Sequence, residues 1–403
     1  MNQLKKERLP QLDFFRALAI IGVLHVHSTS NATIEAVNTS IYYVFNFLNL
    51  MFKYGTPSFI FLSSFVLFYN YYDRPLNSKL ITSFYKKRML YILLPYILIS
   101  ALYFIYKLYT RDRFDEPVGM LVMDYVDAIF HGSAWTHLYF VFISVQFYIL
   151  FPLMLWLLKS QRWMARWALV IGLAVQWGWV LWNKYDLHYA SKGSIAFSYF
   201  AYYMMGAFVA IYFKPFRKWV MTSWKDMNGG LKLITAVLWI AWLATGLVYV
   251  QIWYDARLTN EWLDSLWYEL FWNVYTMLSA LVLFQSAFIL NRIAPKGILA
   301  VLRRLGEVSF AVYLVHPFIL AFYRETQDWF SMGTLTYFVW IYAGLIIALV
   351  VSTLFVQFVF RRFSYSWVLL GSIPYSLSGR HREKRAERER IRQDVDAVRR
   401  TNP

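Results

Sequence analysis

Residues 12–27, LDFFRALAIIGVLHVH, form an apolar run that carries one carboxylate (Asp13), one guanidinium (Arg16) and two imidazoles (His25 and His27). Extended to 10–29, the run reaches the ~20 residues a helix needs to cross the hydrocarbon of a bilayer. Nine more runs of this kind follow, at 41–70, 85–108, 137–158, 165–183, 194–213, 232–252, 266–290, 306–323 and 335–360. The second is too long for one straight span. Lys53, Gly55 and Pro57 lie inside it and predict a short outer segment, a break, then the membrane helix. The expected fold is all-α: a polytopic membrane bundle of about ten transmembrane helices.

Composition agrees. Of the 403 residues 59 % are hydrophobic and 16 % charged, where soluble domains carry roughly 45–50 % and about 25 %. Phe, Tyr and Trp number 34, 31 and 18, which excludes a solvated, disordered chain. With no cysteine there is no disulfide framework, no thiolate nucleophile and no Cys-based metal site.

The net charge of +17 takes its meaning from its placement. With the N-terminus in the cytosol, the inner segments hold 31 of the 40 Lys and Arg residues and the outer loops hold 6. Arg16, Lys53 and Lys107 remain within spans or at their rims. Every inner segment outscores every outer one, so the positive-inside rule predicts both termini to be cytoplasmic. Topology thus absorbs most of the charge, and the expected partner is the lipid bilayer, not nucleic acid. The chain divides into a membrane domain, 1–365, and a basic cytoplasmic tail, 366–403. Within that tail Glu387/Arg390 and Glu389/Arg392 have the spacing of helical neighbours, as in a solvated helix resting near anionic headgroups.

Ionisable residues inside spans are costly and therefore point to function. Here they are Asp13, Arg16, His25, His27, Lys53, Arg88, His137, Glu269, Glu307 and His316. Glu307 and Lys53 read as helix-end residues that snorkel to water. The first helix resists that reading. Arg16 and His27 are separated by about 20° beyond three full turns, so they share one stripe about 16 Å apart along the axis. His25 lies about 180° round from Arg16 and is off the stripe. Asp13, three residues before Arg16, is placed to pair with it. An imidazole suits general-base work near neutrality, and a guanidinium suits phosphate or carboxylate recognition. Lys86, Lys87 and Arg88 form a basic cluster at the start of the third span; by themselves they read equally as topological anchors. No pair of carboxylates is spaced for glycosidase chemistry, no HExxH set or GxSxG elbow is present, and no metal is expected.

Taken in order, the motifs resemble the acyltransferase-3 family of bacterial integral-membrane acyltransferases. LDFFRALAIIGVLHVH (12–27) is similar to its first-helix pattern of Arg, ten residues, then His, which places Arg16 and His27 on the motif and His25 off it. GTPSFIFLSSF (55–65) resembles its second-helix segment, with Ser63 and Phe65 matching. KKRMLYILLPY (86–96) resembles its third-helix motif through Arg88, Pro95 and Tyr96. HLYFV (137–141) with Tyr148 and Pro152, YYMMGAF (202–208) and LGEVSFAVYLVHP (305–317) resemble three later segments. Two positions depart from the pattern. Ser64 stands where Gly is usual, which predicts a looser helix contact, and Tyr91 stands where many members carry a second Arg. The run RMLYILLPYIL is closer to the branch acting on biofilm poly-N-acetylglucosamine.

The resemblance implies an enzyme that takes an acyl group, usually acetyl, from cytosolic acyl-CoA. It passes the group to a hydroxyl of a cell-envelope polysaccharide, or its lipid-linked precursor, across the bacterial cytoplasmic membrane. Acetyl-CoA is then the donor, with no permanently bound cofactor. On this reading Arg88, Lys86 and Lys87 meet the CoA phosphates, Arg16 reaches the pantetheine end or the thioester, and His27 deprotonates the acceptor hydroxyl. His137, Ser63 and Tyr148 line the substrate cavity, a structural role standing beside the functional one for His137 and Ser63. His316 and Tyr313 are read as packing and hydrogen-bonding residues. The competing expectation is an exporter of a surface polysaccharide such as poly-N-acetylglucosamine. The shared stripe of cation and imidazole and the want of visible inverted repeats favour the enzyme.

Overall fold

A computed structural model describes residues 6–379; the charged stretch 380–400 of the expected tail lies outside the described residues. Among the described residues the secondary structure is helical, with no strand, as a backbone without water must be to satisfy its own N–H and C=O groups. In chain order the main helices are α1 (Gln11–Thr29), α2 (Tyr42–Tyr71), α3 (Ser78–Thr110) and α4 (Val118–His131). They continue with α5 (Tyr139–Ser160), α6 (Ala168–Trp182), α7 (Ala196–Ile211) and α8 (Phe213–Met221). Last come α9 (Gly229–Thr259), α10 (Ser265–Ile293), α11 (Lys296–Arg324) and α12 (Leu335–Arg362). Eight of these are long and apolar enough to cross a membrane, nine if α7 and α8 are one broken span. The chain is a multi-pass membrane protein.

The expected count of about ten differs at two places. The run 165–183 folds as α6, only 15 residues, and then widens into a π-turn, Asn183–Leu187. The run 194–213 folds as α7 but turns by 85° into α8. Pro215 explains the bend: it has no N–H for the Ile211 carbonyl, so the helix cannot run straight through. The break predicted in the second run falls at residues 52–54, between Met51 and Gly55. A π-turn, Met89–Leu93, follows Arg88 directly. It lies over the carbonyl of Tyr91, which the ring of Pro95 would otherwise strike.

Ion pairs sort the loops into two faces. On the face where α1 begins, Lys6 pairs with Asp73 at 2.6 Å and Arg217 with Glu7 at 3.0 Å. Arg8 meets Glu307 at 3.0 Å, and Glu307 accepts from the Ser376 amide at 3.1 Å. On the opposite face Lys184 holds Asp264, and Glu35 accepts from Gln327 and Tyr337 at 2.9 and 3.0 Å. The bond from Lys184 also holds the Asp264 carboxyl below its ordinary range. Alternate loops therefore share a face, as the charge pattern required. The first part of the expected tail is docked: Trp367 meets the ring of Tyr91, and Arg8 sits 3.9 Å over that of Tyr375.

Two glycines set the closest helix contacts. A Cβ at Gly306 would overlap the Asp13 carbonyl, so α11 presses against the backbone of α1 there. At Gly206 a Cβ would overlap the Phe61 carbonyl and stand 2.9 Å from the Ser64 Cβ. Ser64 therefore does not loosen its contact: it is buried and donates to the Tyr203 carbonyl at 2.5 Å. Small residues at helix crossings matter because packing, not a hydrophobic drive, associates helices in lipid. Gly306→Ala and Gly206→Ala are each expected to cost about 1–3 kcal/mol. The check is the thermal unfolding midpoint in detergent, which Gly178→Ala, with no atom within 4 Å of the new Cβ, should leave unlowered.

Candidate functional site

α1 carries the site's first element. Asp13, 4 % exposed, binds Arg16 at 2.8 Å through one carboxylate oxygen and Arg8 at 2.7 Å through the other. The expected Asp13–Arg16 pair is thus present within a larger network that also ties in Glu307 through Arg8. Glu307 is a member of this network and not a residue snorkelling to water.

Arg16 opens into a cavity of about 180 Å³ on the α1-start side. Arg88, Ser63, Tyr148, Ser144 and Ser309 supply its remaining polar lining. The Ser63 and Tyr148 hydroxyls are 3.4 Å apart. The Arg88 guanidinium lies 4.7 Å over the Tyr148 ring and 5.4 Å over Phe84. Its Nε is buried with no hydrogen-bond partner, and no carboxylate among the described residues pairs with it. Burying a donor in this way is costly unless something accepts from it. Lys86 and Lys87 are exposed and do not line the cavity.

His27 lines a second, larger cavity of about 370 Å³ toward the other face. Aromatic rings dominate its wall, including Tyr139, Tyr249, Trp253, Tyr268 and Trp272, with Lys53 and Glu269 among them. Glu269 binds Lys192 at 2.8 Å and Asn273 at 3.2 Å. Lys53 reaches over Trp253 at 5.2 Å, so it faces the cavity and does not snorkel away. Tyr313 borders both cavities and is part of the wall of each. Its hydroxyl donates to the His137 carbonyl.

Three imidazoles meet behind that wall. His27 Nδ1 is 3.1 Å from His316 Nε2, and the ring of His137 lies 5.8 Å from His316 and 6.4 Å from His27. His137 is fully buried and lines neither cavity. The Arg324 guanidinium donates to the His27 carbonyl. His25 points elsewhere, stacked on Phe52 at 4.0 Å with the Tyr342 hydroxyl 3.1 Å from its Nε2. Among the described residues no group of three or more metal-ligating side chains is placed to hold an ion.

The structure thus gathers Arg16, Arg88, Ser63 and Tyr148 at one cavity and puts His27 at the next. His316, Tyr313, Lys53, Glu269 and Arg324 stand closer to the site than their sequence context suggests. One signal is available for two of them. Ser309, Tyr313 and His316 are spaced i, i+4, i+7 and so share one face of α11.

The fold is a multi-pass helical bundle with two polar cavities within it. The acyltransferase-domain family, acyltransferase-3, matches residues 9–357, and the chain belongs to it. Among curated proteins it is similar to the probable poly-beta-1,6-N-acetyl-D-glucosamine export proteins of Staphylococcus aureus strains MSSA476 and Mu50. Identity is 22 % and 23 % over 393 residues, covering 93 % of this chain and 99 % of each relative. No solved structure matches the chain at comparable significance.

Asp13 is buried, but Arg8 and Arg16 keep 41 % and 32 % of their side chains exposed, so removing its charge costs less than breaking a fully buried pair, about 1–3 kcal/mol. Asp13→Asn is expected to lower stability by about that much. A lowered unfolding midpoint in detergent checks it, against Glu7→Gln, whose pair with Arg217 is largely exposed and should contribute little.

Proposed function

We propose that the protein is an acyl-CoA-dependent O-acyltransferase, moving an acyl group, acetyl in the first instance, to a hydroxyl of an extracytoplasmic polysaccharide or its lipid-linked precursor. The observation that carries this reading is the pair of cavities meeting at Tyr313, one with the unpaired Arg88 and with Arg16, the other with His27. Acyl-CoA enters from the cytosolic face, taken as the face where α1 begins, because that face carries most of the Lys and Arg residues. Both termini are then cytosolic, in the bacterial cytoplasmic membrane, and α6 with its π-turn supplies the tenth crossing.

In this arrangement Arg88 binds CoA phosphate oxygens by charge-assisted hydrogen bonds. Lys86 and Lys87 add field at the entrance, without first contact. The narrow cavity between Ser63, Tyr148 and Phe140 takes the pantetheine arm, and Arg16 sits along it. The aromatic cavity suits a sugar, whose C–H faces stack on rings such as Trp253 and Trp272. His27 takes the proton of the acceptor hydroxyl as its oxygen attacks the thioester carbonyl. The C–S bond then breaks, the ester forms, and the imidazolium returns its proton to the CoA thiolate. His137 supports the wall from behind.

Export is the second reading, since the staphylococcal relatives are named for it. An exporter needs a path for a glycan chain, but it has no need of a cationic cavity built on Arg16 and Arg88, which favours the transfer reading. The two readings part on acyl-CoA consumption. With protein in liposomes, radiolabelled acetyl-CoA and β-1,6-linked N-acetylglucosamine oligomers, transfer of label is expected. His27→Ala should abolish it, and His25→Gln should retain it. Arg88→Ala should raise KM for acetyl-CoA by about 10- to 100-fold, the worth of one charged hydrogen bond. Wild-type protein that neither binds nor consumes acetyl-CoA, but moves the oligomer across the vesicle, would overturn the enzyme in favour of the exporter.

A further inference from the structure

We infer that His316 is a positioning residue that fixes the tautomer of His27, so that His27 offers its Nε2 lone pair to the acceptor hydroxyl. The inference rests on the acyltransfer reading for its chemical meaning, but its geometry is independent of the substrate.

The relay of hydrogen bonds is anchored at a carbonyl. His316 Nδ1 is 3.1 Å from the Val312 carbonyl oxygen. Carbonyl oxygens only accept, so Nδ1 of His316 must carry a proton. In the neutral ring the other nitrogen, Nε2, is then an acceptor. Its neighbour at 3.1 Å is His27 Nδ1, which must therefore carry the proton of that bond. Neutral His27 is left with a lone pair on Nε2 alone. The base is thus defined by a chain that runs from His27 Nδ1–H to His316 Nε2, and from His316 Nδ1–H to the backbone of its own helix.

The same chain serves the charged state. When His27 Nε2 takes up the acceptor proton, its Nδ1–H continues to donate to His316, so the ring need not turn during the reaction. The carboxylate that holds the base in a Ser-His-Asp triad has a neutral counterpart here. Groups facing the pair are His137 and Tyr313 and, through the His27 carbonyl, Arg324. None is a carboxylate, and no ion pair to His27, His137 or His316 occurs among the described residues.

The test uses the full chain in liposomes, labelled with 15N-histidine, whose solid-state NMR shifts distinguish protonated from unprotonated ring nitrogens. The His27 signals are assigned by their loss in His27→Ala. Wild type should carry the His27 proton on Nδ1. His316→Met, which fills the space but accepts nothing, should yield a mixture with the Nε2-protonated form. His316→Gln, whose Oε1 accepts from Nδ1–H, should restore the wild-type tautomer. In acetyl-CoA turnover the Met variant should lower kcat by about 100-fold or more with KM unchanged, and the Gln variant should recover most of it. Loss of a triad carboxylate sets the upper end of such effects, at about 10⁴-fold. A wild-type His27 protonated on Nε2, or a Met variant with unchanged tautomer and kcat, would overturn the inference and leave acyltransfer standing. Acyltransfer itself fails on a different result, wild-type protein that neither binds nor consumes acetyl-CoA.

Discussion

The rest of the structure depends on the contact in which Gly306 of α11 presses against the Asp13 carbonyl of α1. At that point one residue serves two purposes, because the Asp13 side chain also holds Arg8 and Arg16. Two helices that touch backbone to backbone cannot rotate or slide without a clash, so everything farther along their axes is set in register. One consequence is that Arg16 and Ser309 line one cavity together. The other is that His27 meets His316, residues 289 apart in the chain. The ionic network makes this contact costly to lose, since breaking it leaves the buried Asp13 carboxylate without its two donors.

From that register follows a division of labour across the membrane. The cavity with Arg16 and Arg88 is cationic, narrow and lined in part by hydroxyls; the cavity with His27 is wider and aromatic. Tyr313 borders both. The proposed reaction, between a polyanionic donor and an uncharged sugar acceptor, asks for this asymmetry. On that proposal each substrate is met by the chemistry of its own side, and only the reacting groups come together. The family to which the chain belongs, defined by a match over residues 9–357, is consistent with such a transfer. The likeness to staphylococcal export proteins, at 22–23 % identity, extends over nearly the whole of both chains.

Much of the fold is legible in the residues alone. Apolar runs, Lys/Arg alternation and the break around Lys53 are local or additive signals, and they carry the all-helical membrane class and the grouping of loops. The face shared by Arg16 and His27 is legible for the same reason: a helix of known pitch converts spacing into angle. The span count is less so. Pro215 bends its helix by 85° and α6 is cut to 15 residues, and neither outcome alters hydropathy. Ser64 misleads because the small residue that matters sits opposite, at Gly206, on another helix.

Composition and spacing along the chain fix the apolar, helical character of the spans and place Arg16 and His27 on one stripe with His25 off it. Those properties follow from the chain's own periodicity and need no partner. Only the tertiary structure decided what each polar group meets. Asp13 acquires a second arginine, Arg88 is left with a buried and unanswered Nε, and His27 acquires His316. Such pairings depend on which faces of distant helices come within about 3 Å of each other. In lipid that is settled by close packing at small residues, a relation between two segments that neither one encodes alone.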